Sequence, residues 1–137
     1  MYRINNKKQL KLEFWLPFDG ELEPNNRWVI LANEIPWLAF EKDYAKQFSP
    51  NNGRPPLPFR LALGALIIQK KLNLTDRETV DQIMENPYLQ YFLGFDTYLT
   101  RKPFHSPMMV TFRHQVSPDL INKINEEIFL KKKKKMR

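Results

Sequence analysis

The side chains best suited to binding chemistry lie in one stretch without acidic residues, from Thr97 to Pro118. Arginine, lysine, threonine and histidine side chains bond to phosphate oxygens or to base edges. Their spacing therefore indicates a surface that contacts nucleic acid, and the alternative is an ordinary solvated face in which an arginine anchors the fold. The side chains that we select as the binding set are Arg101, Lys102, Thr111, Arg113 and His114.

Other basic residues extend this set. Arg54 and Arg60 are expected to assist, and the run Lys131–Lys135 begins with Lys131, Lys132 and Lys133. The run has three interpretations: a phosphate-binding tail, a solvated disordered end, or the product of slippage in an A-rich gene that lost its reading frame. Under the third interpretation the original protein was longer, and DNA sequence beyond the Arg137 codon tests it.

Catalytic chemistry finds little support. The chain has no cysteine, which excludes thiolate zinc sites and cysteine nucleophiles. Its two histidines, His105 and His114, have no acidic residue between them, and a closed metal site needs three or four ligands. Ser106 and Ser117 each precede a proline and are interpreted as helix caps. We therefore expect no catalytic residue, no metal site and no cofactor in this chain.

The net charge of +7 is concentrated at the C-terminus. Six of the 22 basic residues lie in 131–137, which leaves 16 basic against 15 acidic residues in the rest of the chain. Residues 1–130 are thus close to neutral, and most of the positive net charge of the chain comes from its C-terminal tail. The longest apolar run, Leu61–Ile68, is shorter than the ~18 residues of a membrane span, and the N-terminus lacks the apolar region of a signal peptide. We therefore expect a cytoplasmic protein with no membrane contact.

The elements that must position the binding set are helical. Thr75 and Glu78 form a capping box, and Pro87 ends the helix that it starts. A run of aromatic residues follows Pro87 directly and is expected to form a second short helix. The two helices would meet at an Asn86-Pro87 corner in a helix-turn-helix-like geometry. The first of these helices is acidic, with Asp76, Glu78, Asp81 and Glu85, and would be repelled by phosphates, so we assign it a supporting role.

Further start signals divide the rest of the chain. Helices are expected after Asn26, at Pro36, from Phe59 to Lys71 in the centre of the bundle, from Ser106 to Val116, and from Asp119 to Leu130. Leu10–Leu16 alternates like a strand but has no partner strand, which favours an extended arm. We predict an all-α compact multi-helix bundle with an extended arm (1–25), a helical domain (26–130) and a basic lysine-rich tail (131–137).

Several motifs together resemble a known family. RLALGALIIQKKLNLTDRETVDQIMENPYLQYFLGF, SPMMVTFR and NRWVILANEIPW, with the Tyr44–Phe48 segment and the Gly53-Arg54-Pro55 connector, are similar to the N-terminal domain of DDE insertion-sequence transposases of the InsH-like group. The resemblance implies a helical domain that helps recognise terminal inverted repeats. It also implies that the Asp-Asp-Glu set, which binds Mg²⁺, belongs to a catalytic domain that starts after this chain ends. On this resemblance, we expect that the chain is not an enzyme by itself.

Two functions follow as alternatives. The first is a DNA-binding module of a transposase, in a truncated copy, with the ends of the element as its partner. The second is an interaction module that pairs with itself or with full-length transposase through Leu10–Leu16 and the last helix. An inactive remnant of a mobile element is the third outcome.

Overall fold

The computed structural model describes residues 17–46, 57–116 and 118–135, with side chains up to residue 127. A short 3-10 helix, Pro17–Gly20, and seven α-helices make up this described part, which contains no strand. The helices are α1 (Arg27–Glu34), α2 (Trp37–Ala45), α3 (Phe59–Leu72), α4 (Asp76–Glu85), α5 (Pro87–Phe92), α6 (Met108–Gln115) and α7 (Pro118–Lys135). The all-α prediction is confirmed. Leu10–Leu16, Arg54 and Ser117 lie outside the described residues.

Local capping chemistry starts two of these helices as the sequence predicts. The Asn26 side chain accepts a hydrogen bond from the Trp28 amide at 2.8 Å. Thr75 and Glu78 form the reciprocal capping box of α4, with bonds of 3.1 and 2.9 Å. At α6 the prediction is wrong in detail, because Pro107 occupies the cap position and no side chain caps the helix. Ser106 contributes its backbone carbonyl there, which accepts from the Met109 amide.

Helix α3 is the centre of the bundle. Its Ala62, Leu63, Ala65 and Ile68 side chains are completely buried, as expected for a helix that is apolar on nearly every side. It packs against α2, α4 and α6. At Gly64 an added Cβ would lie 2.5 Å from a terminal methyl of Leu93, so a larger residue there would require the buried Leu93 side chain to shift.

Aromatic side chains join the N-terminal helices to α5. The Phe92 ring meets Trp28 and Trp37 edge-on, with centroids 5.2 and 5.4 Å apart. Such pairs contribute beyond their buried area, by roughly 0.5–1.5 kcal/mol each. The cluster predicted from the run of aromatics after Pro87 is therefore a structural core.

The corner between α4 and α5 depends on a buried glutamine. Pro87 has no N–H, so the Ile83 carbonyl lacks its normal partner four residues later. The Gln90 amide nitrogen donates to this carbonyl at 2.9 Å. The Gln90 side-chain oxygen accepts from the Leu99 amide at 3.0 Å. One side chain, 2% exposed, thus closes the corner and fixes the start of the following loop.

The last helix uses its apolar stripe within the fold. Leu120 and Ile124 are 7% and 1% exposed, respectively, so they belong to the core. The backbone of α7 continues as helix to Lys135, through the lysine run. None of the helices in the part of the chain that the structure covers is long and apolar enough to cross a membrane.

Candidate nucleic-acid interface

Residues 97–107 form a loop, here called the basic loop, that is pinned at two points. The Leu99 amide donates to Gln90, and Phe104 is 5% exposed and meets Phe112 edge-on at 5.0 Å. Between these anchors the Arg101 and Lys102 side chains are exposed. The loop therefore presents two cations to solvent between two points of contact with the fold.

Helix α6 separates its residues into two faces as predicted. Met109 and Phe112 are completely buried against the fold, and Val116 is 1% exposed. Thr111, Arg113 and His114 are exposed on the outer side. We call the exposed side chains of Arg101, Lys102, Thr111, Arg113 and His114 the basic surface. The structure places all five at the surface on two consecutive segments, and His105 is also exposed.

Arg113 has partners that the sequence did not indicate. Its Nη1 donates to Asp76 Oδ1 at 2.8 Å and its Nη2 donates to Asp76 Oδ2 at 2.9 Å. Nη1 also donates to Gln69 Oε1 at 3.2 Å, and Gln69 Nε2 donates to Asp76 Oδ1 at 2.6 Å. Three helices are thereby joined, and α4 supports α6 through a charged contact. Arg113, followed by Gln69, lowers the pKa of the Asp76 carboxyl through these hydrogen bonds.

The depressed pKa of Asp76 makes a stability prediction with a defined sign. Its charged form stabilises the fold above the unfolded pKa, about 3.9, and this contribution is lost as pH falls through the lower folded pKa. Wild type should exceed Asp76→Asn in free energy of unfolding by on the order of 1 kcal/mol at neutral pH. The difference should be smaller near pH 2 than at neutral pH in urea titrations. Asp81→Asn, an exposed site on the same helix, is the control, and a constant difference at both pH values would contradict the assignment.

A shallow groove borders Arg113 on the side of the last helix. Its volume is about 310 Å³, and its walls come from α3, α6 and α7. Lys70, exposed at the end of α3, lines it together with Arg113. From the sequence alone, Lys70 is explained by its favourable interaction with the dipole at the C-terminal end of its helix. The structure shows in addition that Lys70 lies beside the basic surface.

Arg60 does not join the basic surface. Its Nε and Nη2 donate to the Phe92 and Tyr91 carbonyls, both at 2.9 Å, and its guanidinium lies 4.8 Å from the Trp37 ring centre. Gly94, at φ +98°, allows the chain to pass beside the Arg60 stem. Burial lowers the pKa of Arg60, which nevertheless stays charged. The structure therefore gives Arg60 a role at the C-terminal end of α5.

Replacing Arg60 with methionine is expected to destabilise the fold by about 1–2 kcal/mol, because two charge-assisted hydrogen bonds to the end of α5 are lost while the apolar stem is kept. Chemical unfolding measures the change. Arg77→Met, at an exposed site on α4, should be nearly neutral. Equal stability of the two variants would show that the contacts of Arg60 contribute nothing.

The remaining basic residues that were predicted to assist DNA binding are not described by the structure. Arg54 and the side chains of Lys131, Lys132 and Lys133 lie outside the described residues. Within the described ranges, no group of three or more histidine, cysteine, aspartate or glutamate side chains could hold a metal ion.

Comparison with known proteins gives the family. Residues 16–115 match the sequence model of the family described as "Transposase domain (DUF772)". The chain belongs to this transposase domain family. The match covers every helix from α1 to α6, and hence both segments of the basic surface.

This transposase domain is also similar to a bacterial protein. It is 32% identical over 100 residues to "Uncharacterized protein ORF8 in nfe locus" of Rhizobium meliloti. The aligned part is 73% of this chain and 48% of that protein, so the chain spans about half the length of the relative. No solved structure matches this transposase domain.

Proposed function

We propose that this transposase domain holds DNA at the ends of a mobile element while strand transfer is carried out by another domain. The observation that supports the proposal is the basic surface. Its five side chains are exposed on a pinned loop and on one face of α6, in a stretch that contains no acidic residue. Family membership supplies the context of transposition.

Helix α6 is the element that we expect to approach the duplex. An α-helix fits the major groove of B-DNA, where side chains reach base edges. Thr111 and His114 lie on its outer face, and the basic loop precedes it closely enough to contact the backbone. Helix α4 is a poor alternative because Asp81 and Glu85 are exposed on it.

The test is a binding titration with duplex DNA from the terminal inverted repeat of the element, across about 50–200 mM salt. We expect affinity to fall steeply with salt and to be higher for the native end than for a scrambled duplex of the same composition. Salt-sensitive binding with equal affinity for both duplexes would leave only non-specific DNA binding. No binding at low salt would contradict the proposal.

A second proposal is pairing with another copy or with full-length transposase. The supporting observation is that Leu38 on α2 is 78% exposed and Ile30 on α1 is 42% exposed, outside the basic surface. The predicted use of the last helix loses support because Leu120 and Ile124 are buried in the core. A solution mass that stays monomeric at high concentration, with and without full-length transposase, would contradict pairing.

A further inference from the structure

The hydrogen bonds of Arg113 leave one edge of its guanidinium open. An arginine has five N–H donors. Asp76 takes one from each terminal nitrogen, and Gln69 takes the second from Nη1. The Nε–H and the outer N–H of Nη2 remain, side by side, and neither has an acceptor among residues 17–46, 57–116 and 118–127. The Arg113 side chain is 43% exposed, so this edge is accessible.

The two N–H groups of that open edge are placed to donate two parallel hydrogen bonds to one base. Two parallel N–H groups match two neighbouring acceptors, and guanine presents O6 and N7 as such a pair in the major groove. A guanidinium that is already held by Asp76 and Gln69 loses less conformational freedom on binding than a free side chain. The bidentate carboxylate also offsets its charge, which reduces attraction to phosphates in general.

We propose that Asp76 and Gln69 are positioning residues that orient Arg113 to read a guanine. The inference rests on the proposed DNA-binding function and goes beyond it, because it assigns a source of sequence preference to two residues of the supporting helices. The Asp76 carboxylate lowers the affinity for DNA of any sequence and raises the preference for DNA with a guanine at the contacted position. Gln69 fixes the angle of the guanidinium plane through both of its partners.

The first experiment uses the wild-type chain and modified DNA. Each guanine of the terminal repeat is replaced in turn by 7-deazaguanine, which lacks the N7 acceptor. One position should lower affinity by about tenfold. The same substitution should have little effect on the Arg113→Met variant, because methionine has no N–H donor for the guanine edge. Uniform tolerance of 7-deazaguanine by the wild-type chain would overturn the inference.

The second experiment separates charge from orientation. Asp76→Asn should bind scrambled DNA more tightly, with the slope of log K against log salt steeper by about one, while preference for the native end falls about tenfold. Gln69→Met should lose preference with an unchanged salt slope, because no charge changes. Asp81→Asn is matched in charge and helix to Asp76→Asn and should keep the wild-type preference. Thermal unfolding is recorded for every variant.

The outcomes distinguish the two levels of the proposal. Equal preference in Asp76→Asn and Asp81→Asn would overturn the positioning role while leaving the DNA-binding function intact. A wild-type chain that does not bind DNA at any salt concentration would overturn both. A purely structural role of Asp76 predicts lower thermal stability with unchanged preference per folded molecule, which also overturns the inference.

Discussion

Replacing Gln90 with leucine is expected to lower the free energy of unfolding by about 2–4 kcal/mol. Leucine fills a similar volume, so the cost comes from polar groups left without partners. The Ile83 carbonyl would lose its donor and the Leu99 amide its acceptor, and each unsatisfied buried group costs about 1–3 kcal/mol. Pro87 cannot replace the missing donor.

The functional consequence of Gln90→Leu should follow from the same contact. The Leu99 amide fixes the start of the basic loop, so its release should loosen the backbone that presents Arg101 and Lys102. Urea unfolding measures the stability change, and hydrogen exchange at the Leu99 amide measures the local one. Gln82→Leu, at an exposed site on α4, is the matched control. Similar stability and unchanged exchange in both variants would contradict this description of the corner.

The double replacement Arg101→Ala with Lys102→Ala is expected to weaken DNA binding by about ten- to thirty-fold near 0.15 M salt. Each lost phosphate contact should reduce the slope of log K against log salt by about 0.9, so the pair should reduce it by about 2. The loss should be similar for native and scrambled duplexes, since phosphate contacts carry no direct sequence information.

The control variant removes the same number of positive charges from a different part of the protein surface. Lys42→Ala with Arg77→Ala removes one lysine and one arginine from exposed sites on α2 and α4. This variant should retain most of the wild-type affinity at the same salt concentration. If both double variants lose affinity equally, binding follows net charge, and the basic surface has no special part in it.

Much of the architecture could be predicted because its signals are local. A cap such as Asn26 or Thr75 acts within three residues, and helical periodicity separates Met109 and Phe112 from Thr111 and His114. The same rule failed at Ser106, where a proline at the cap position displaced the serine side chain. The helical bundle and the outer face of α6 were therefore accessible from the sequence.

The partners of the arginines could not be predicted because they are distant along the chain. Asp76 and Arg113 are 37 residues apart, and Arg60 bonds to carbonyls 31 and 32 residues away. No periodic pattern connects such positions, and a carbonyl acceptor has no sequence signature. An acidic residue in the first turn of a helix is already explained by its interaction with the helix dipole. The sequence alone therefore provides no reason to expect that Asp76 contacts a distant arginine.

DNA binding by the basic surface can be tested by a nuclear magnetic resonance titration of the isotope-labelled chain with terminal-repeat duplex. If the basic surface holds the DNA, amide shifts should concentrate in residues 97–116, with smaller changes at Lys70 and Asp76. The amides of α1 and α2 should stay nearly unchanged. Shifts confined to α1 and α2, or to the lysine run alone, would show that the basic surface does not hold the DNA.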